Sequence, residues 1–304
     1  MRTKSVWERV RREKPLQIIM MLATLWAIFI FYIPILGNII AFQNYQVFKG
    51  FLKSKWVGLK YFSDFLKNDY TWILVRNTLA MSILGLVFGT VAAVIFALLL
   101  NEVYKVFFKR VIQTISYLPY FISMAVCANL FIQLLSRQGA LNTLMAGMGI
   151  MKEPFPFMEK EGLFWVIITI QNIWKNTGWN AIIYLAAIAG IPAEHYEAAV
   201  VDGAGRFKRL WHITLPGILP TVVVLLILNS GYIIQGGFEQ QYLMFNPMVM
   251  NTAEVISTYV YKRGLQHLEY SFATAVGLLQ SGVSIILLLG VNKISKKLAG
   301  FGLW

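Results

Sequence analysis

The charged residues of this chain are separated by long gaps, and those gaps constrain its fold more than any other feature. Pro15 to Phe48 carries no charge, nor do Asn77 to Asn101, Val111 to Ser136, Leu210 to Phe238 and Tyr270 to Asn292. Gly162 to Ala193 is interrupted once, by Lys175. A bilayer core is about 30 Å thick and takes about 20 consecutive apolar residues as a helix. Each gap is long enough to cross. The spacing predicts six helices, at 16–41, 77–100, 111–135, 163–190, 217–236 and 271–291. Composition agrees: 13% of the 304 residues are Asp, Glu, Lys or Arg and 58% are hydrophobic, against about 25% charged in a soluble domain. Disorder and a disulfide scaffold are excluded by the hydrophobicity and by the single cysteine, Cys127. The first apolar run is too long for a cleaved signal peptide and no small-residue cleavage site follows it cleanly.

The chain is therefore expected to be an all-α integral membrane protein. Residues 1–15 would form a basic cytoplasmic N-terminus and 16–304 one transmembrane domain. Lys and Arg are richer in the segments that lie inside if the N-terminus is inside, so both termini are expected in the cytoplasm. The first external loop is itself basic, which weakens the bias. The formal charge of +13 does not indicate nucleic acid: the basic residues sit at membrane edges, where anionic lipid attracts them, and no nucleic-acid module accompanies them. The short uncharged runs 138–151 and 240–253 hold Gly, Asn and Gln or Pro, and read as loops or interfacial segments.

Gly85, Gly89, Ala93 and Ala97 recur at a spacing of four, as do Ala273, Gly277 and Ser281. Small-residue ladders let helices approach closely. Pro34 and Pro119 are expected to kink the first and third spans. The fourth and fifth spans are unusually polar. Gln171, Trp174 and Gly178 share one helical face, with Lys175, Asn176, Trp179 and Asn180 beside them. In the fifth, Asn229, Tyr232, Gly236 and Glu239 share a face, with Gln235 close by. Intramembrane polar residues usually face a bundle interior or a watery cavity, and aromatic rings beside amides suit a sugar. These ten residues, Gly178 and Gly236 apart, are candidates for a substrate pathway. Interhelical hydrogen bonds and an aromatic belt would account for them equally well.

Between the fourth and fifth spans lies IPAEHYEAAVVDGAGRFKRLWHITLPGILPT. Pro192 can start a helix, Gly203-Ala204-Gly205 breaks it, and a second amphipathic arm carries Phe207, Leu210, Trp211 and Thr214 until Pro216 ends it. Glu197-Ala198-Ala199, Gly203, Ile213, Leu215 and Pro216 fit the pattern E-A-A, three residues, G, nine residues, I-x-L-P at every position. The loop 191–216 thus resembles the EAA loop of ABC importer permeases, and Asp202-Gly203-Ala204 is a triplet common in sugar permeases. IWKNTGW (173–179), GFEQQYLMFNP (237–247), FYIPILGNIIAF (31–42) and the terminal GLW (302–304) look like the polysaccharide or oligosaccharide branch of the maltose-type, binding-protein-dependent family.

That resemblance implies a type I importer in a prokaryotic plasma membrane. A second permease subunit, usually a different homologous chain, would stand beside this one. Two cytoplasmic ABC ATPases would carry ATP and Mg, and an extracytoplasmic solute-binding protein would deliver the cargo. Glu197 would contact the ATPase, Ala198 and Ala199 would permit close approach, and Gly203 would make the bend, with Asp202, Ala204, Phe207 and Pro216 completing the coupling element. No G-x-x-x-x-G-K-[ST] occurs in the sequence, so no nucleotide, and no cofactor or metal, is expected on this chain. No G-x-S-x-G and no zinc-type spacing occurs either; the chain is expected to be a non-catalytic subunit. Glu239, Glu254 and Glu269 read as solvated charges of an external loop, or as contacts to the binding protein. The competing class is a self-contained secondary carrier or channel for a small polar solute, which would want inverted repeats and buried coupling charges; no clear repeat is visible.

Overall fold

The computed structural model describes residues 14–303. Most of the basic N-terminal segment and Trp304 of the terminal GLW lie outside them. The chain divides into two compact units, one of residues up to Phe65 with Arg263–Leu278, the other of Leu66–Lys262 with the run from Leu279.

In the first unit, α1 (Lys14–Ala27) runs into a π-turn, Ile28–Tyr32, and a short helix, Ile33–Leu36. Pro34 lacks the N–H that would bond four residues back, and the π-turn takes up the mismatch just before it. Leu16–Phe42 together is long and apolar enough to cross a membrane. A two-residue hairpin follows and departs from an all-helical chain: β1 (Gln43–Asn44) pairs antiparallel with β2 (Lys55–Trp56), Gln43 opposite Trp56. Phe42 stacks on Trp56 with centroids 5.7 Å apart. The Tyr45 N–H donates to Ser271 Oγ at 3.0 Å, which ties the hairpin to the start of the last long helix. Arg263 and Glu269 form an ion pair at 2.6 Å beside it, so Glu269 is not a free loop charge.

The second unit is built on α3 (Tyr70–Asn101, 32 residues), which follows the short α2 (Lys60–Leu66), and on α7 (Glu161–Ala189, 29 residues). Their contact is driest where Ala93 and Ala97 meet Ala181, Tyr184 and Ile188, with Ile218 against them. A second core gathers Cys127, Phe131, Phe164, Ile168 and Met244. The second unit corrects several expectations. The third span is not one helix over 111–135. It is α4 (Val106–Tyr117), a 3-10 turn Leu118–Phe121, and α5 (Met124–Leu135) continuing to α6 (Ala140–Gly147), bent by 100°. Pro119 opens the backbone, and Ser123 restarts the helix by accepting from the Val126 N–H at 3.3 Å. The run 138–151 is mostly helical rather than loop, held by Asn142, which bonds the Ser136 and Phe155 carbonyls at 2.9 and 3.0 Å.

The fifth span stops at Ser230 instead of Gly236: α9 (Leu215–Ser230) gives way to turns before α10 (Phe238–Met244). Gly231, Gly236 at φ +51° and Gly237 break the helix. The face shared by Asn229, Tyr232, Gly236 and Glu239 therefore does not form. Pro216 does not end the preceding arm either. Arg206–Ser230 is continuous through a π-turn, Leu210–Thr214, which takes up the mismatch left by the N–H that Pro216 lacks. Past α11 (Ile256–Tyr261), α12 (Tyr270–Ala299) ends the helical series. Leu303 then folds back so that its N–H meets Asn292 Oδ1 at 2.8 Å.

Among the described residues, four helices qualify by length and composition as membrane spans, Leu16–Phe42, Tyr70–Asn101, Arg206–Ser230 and Tyr270–Lys297, and the bent pair Val106–Phe121 with Met124–Gly147, counted as one span, makes a fifth. At 29 residues α7 is long enough, about 43 Å at 1.5 Å per residue. Its stretch QNIWKNTGWN keeps it below the hydropathy of the others.

Candidate functional site

A cavity of about 510 Å³ opens between α3, α7 and the broken end of the fifth span, within the usual range of ligand pockets, roughly 300–1,000 Å³. The glycine ladder makes the space. A Cβ on Gly85 would meet nothing within 4 Å, and one on Gly89 would lie 3.8 Å from Asn172 Oδ1. On α7 the lining face is Thr169, Asn172, Asn180 and Tyr184; Asn229, Tyr232, Gln235 and Gln241 close the other side.

An amide relay runs inward from the cavity wall. Gln240 Nε2 donates to Gln171 Oε1 at 2.8 Å and to the Ile168 carbonyl at 2.9 Å, and Gln171 Nε2 approaches Cys127 Sγ at 3.3 Å. Gln171 and Gln240 are buried, and Gln240 Nε2 and both polar ends of Gln171 are paired inside the protein. Gln241 differs. It is 3% exposed, its Nε2 faces Met81 Sδ at 3.9 Å, and its Oε1 has no donor. Buried carbonyl oxygens are rarely left without a partner.

Of the residues expected to line a pathway, Asn180, Asn229, Tyr232 and Gln235 line this cavity. Gln171 stands one layer behind. Trp174, Lys175, Asn176, Trp179 and Glu239 are outside the lining. The face of α7 bearing Gln171, Lys175 and Gly178 is a packing face: Gly178 sits so close to the Ser116 carbonyl that any Cβ would collide with it. Lys175 is 8% exposed and turns its amine to the carbonyls of Pro119, Tyr120 and Ile122. Trp179 stacks on Tyr120 with centroids 4.5 Å apart, and Trp174 lies against Phe131. Sequence reasoning missed Ser82, Thr90, Thr169, Asn172, Gln240 and Gln241. The spacing of Thr169 and Asn172 with Asn180 marks one face of α7 and could have revealed two of them.

The loop expected to be external carries a further correction. Glu254 is not a solvated charge: it is buried, accepts from Tyr70 Oη at 2.5 Å and pairs with Lys262 at 2.7 Å. Lys262 in turn lies over the Phe245 ring at 3.7 Å. Of the three glutamates expected in that loop, Glu239 is exposed.

The loop 191–216 forms an elbow. Its first arm, α8 (Ala193–Val201), ends in a Schellman turn: the Ala204 N–H reaches the Ala199 carbonyl at 2.8 Å and the Gly203 N–H the Val200 carbonyl at 3.0 Å. Gly203 has φ +73°, a left-handed conformation that suits glycine. Tyr196 Oη and Thr214 Oγ1 join the two arms at 3.0 Å. Glu197, Ala198, Asp202 and Phe207 are exposed along the elbow, and Phe207 is 80% exposed despite its apolar ring.

Comparison with known proteins agrees with this architecture. Residues 85–298 match the family of binding-protein-dependent transport system inner membrane components. Protein LplB of Bacillus subtilis (strain 168) is 44% identical over 296 residues, covering 97% of this chain and 92% of that protein. The polygalacturonan/rhamnogalacturonan transport system permease protein YteP of the same organism is 39% identical over 294 residues, covering 96% and 91%. A crystal structure of a bacterial alginate ABC transporter in complex with alginate pentasaccharide-bound periplasmic protein superposes with a TM-score of 0.89 at 34% identity, covering 98% of this chain and 99% of that one. With its apolar spans, its elbow and its near full-length relatives, the chain belongs to the family of binding-protein-dependent transport system inner membrane components, as a multi-pass ABC permease subunit.

Proposed function

We propose that the chain forms one half of a type I importer that carries an oligosaccharide into the cytoplasm by alternating access, and that the cavity between α3 and α7 is its wall of the path. The carrying observation is the amide lining of a space of ligand size. The likeness to a transporter solved with an oligosaccharide-bound periplasmic protein supports the cargo class. On this reading α7 also crosses the bilayer, making six spans with both termini inside, and residues 16–304 act as one transmembrane domain. A different, homologous permease completes the path. Two cytoplasmic ATPases supply ATP and Mg, an external binding protein delivers the cargo, and this chain binds neither nucleotide nor metal.

The elbow 191–216 is the coupling element. Glu197, Ala198, Ala199, Asp202, Gly203, Ala204, Phe207 and Pro216 would seat it in the ATPase, with exposed Phe207 as the apolar anchor. Closure of the ATPases then moves the arms, and packed interfaces pass the motion on because they have discrete arrangements.

The test is uptake by vesicles holding the complete complex. Uptake should require ATP and the binding protein. Gly203→Val, which puts a β-branched residue at positive φ, should let ATP hydrolysis continue while transport falls at least tenfold. Uptake by this chain without ATPase subunits would instead establish a self-contained carrier.

A further inference from the structure

The first arm of the elbow gains little support from its own packing. No residue of α8 is buried. A cavity of about 680 Å³ opens between it and the second arm. His195, Ala198 and Asp202 share a face of α8, at spacings of three and four, and line one side; Ile213, Pro216 and Thr221 line the other. Two contacts tie α8 to the span that follows. At its base the Ile191 side chain lies against Gly217, where a Cβ would come within 2.5 Å of Ile191 Cδ1. Farther along, the hydroxyls of Tyr196 and Thr214 bond at 3.0 Å. Among the described residues this is the one hydrogen bond between the arms. Thr214 is 5% exposed and ends the π-turn that runs directly into α9. The bond therefore joins the exposed arm to the span itself, not to the turn at Gly203.

With only its base pinned, α8 would pivot into the cavity, and a push on its far end would be spent there. A second fixed point removes that freedom. Motion passes through a protein along rigid elements and bonded networks, so an arm beside open space transmits only as well as its brace holds. Resting on the coupling-element reading above, we propose that the Tyr196–Thr214 hydroxyl pair is this brace. It makes α8 and α9 move as one body. Tyr196 is a positioning residue, through which motion of the ATPases reaches the span.

The experiment uses the whole complex, both permeases and both ATPases, in lipid nanodiscs, and needs no cargo. Spin labels go on Val201→Cys and Leu219→Cys, exposed positions of α8 and α9; the native Cys127 is buried. Double electron–electron resonance reads the distance between the labels without nucleotide and with ATP and vanadate. The labelled parent should give one narrow distribution, the same in both conditions. Tyr196→Phe should widen it at least twofold without nucleotide, and ATP with vanadate should then shift its mean by more than the parent's width. Thr214→Val should do the same, and it carries the test if Tyr196→Phe does not assemble. Thr214→Ser keeps the hydroxyl and should restore the parent distribution, which a general loosening of the fold would not do. A Tyr196→Phe distribution no wider than the parent's, or a parent distribution that shifts with nucleotide, overturns the brace alone; the coupling element still answers to Gly203→Val. A widened distribution that ATP and vanadate do not move overturns both, because the ATPases then do not load the elbow.

Discussion

The Nζ of Lys175 on α7 sits 3.0 Å from the carbonyl oxygen of Tyr120, plugging the gap where the third span breaks. A 3-10 turn ended by an extended residue leaves carbonyls with acceptor capacity the helix does not use, although the Pro119 oxygen also takes the Ile122 N–H. One ammonium supplies three donors, and here they meet the Pro119, Tyr120 and Ile122 oxygens. Lys175→Met should keep the stem packing and lose these bonds, destabilising the protein by about 2–4 kcal/mol, since hydrogen bonds to charged groups are each worth roughly 1.5–3 kcal/mol net. Thermal unfolding in detergent would read it. A melting point within one degree of the parent would show that the carbonyls find other donors.

Two glycines on the long helices should respond oppositely to alanine. At Gly178 the new methyl meets the Ser116 backbone of α4, which cannot rotate away. Overpacking of this kind costs roughly 1–3 kcal/mol. At Gly85 it enters open space, so stability should hold while uptake falls as the bulk grows from Ala to Leu to Trp. Melting curves and uptake measured on the same preparations separate the two effects.

Glu254→Gln would leave Lys262 without its counter-charge in a site where the carboxylate is 6% exposed and the amine 25%. Breaking a buried pair by removing one partner costs about 3–5 kcal/mol, and about half of that is expected here because Lys262 keeps some solvent and the Phe245 ring. The double variant Glu254→Gln with Lys262→Met should recover part of the loss. A double variant no better than the single one would mean that Tyr70, which also bonds Glu254, dominates.

Acid should loosen the 136–159 segment first. Glu159 accepts from Arg137 at 2.6 and 2.9 Å, and that hydrogen bond holds its carboxyl below the usual range. A depressed folded value stabilises above the unfolded carboxylate value, about 4.3, and the stabilisation fades as pH falls through the folded one. The pair is exposed, so the effect is local. Amide exchange over 137–159 between about pH 5 and 3 should quicken relative to the rest of the chain, and Arg137→Ala should remove that pH dependence.

The spans were legible because a bilayer tolerates few charges and the charge-free gaps are long. The elbow was legible because Glu197 to Pro216 fixes both residue type and spacing. The bend at Ile122–Ser123 was legible only as a kink at Pro119, since its size depends on Lys175 reaching across from another helix. The lining of the cavity was half legible. Asn180, Asn229, Tyr232 and Gln235 follow from polarity alone. Gln171 and Lys175 are just as polar, and their partners, Gln240 and the Tyr120 carbonyl, are 69 and 55 residues away. Polarity tells that a group needs a partner and not whether the partner is protein or cargo.

The four-residue ladder on α3 also sets a mechanical ratio. Its Ala97 end is a dry pivot against α7, while its Gly85 end is free of contact. Twelve residues of helix separate them, about 18 Å. A tilt of only 10° about the alanines would carry the glycine end through roughly 3 Å, about the width of a water molecule. Substituting along one repeat would therefore tune fulcrum and stroke separately: larger residues at 93 or 97 shift the pivot, and larger residues at 85 or 89 shorten the travel.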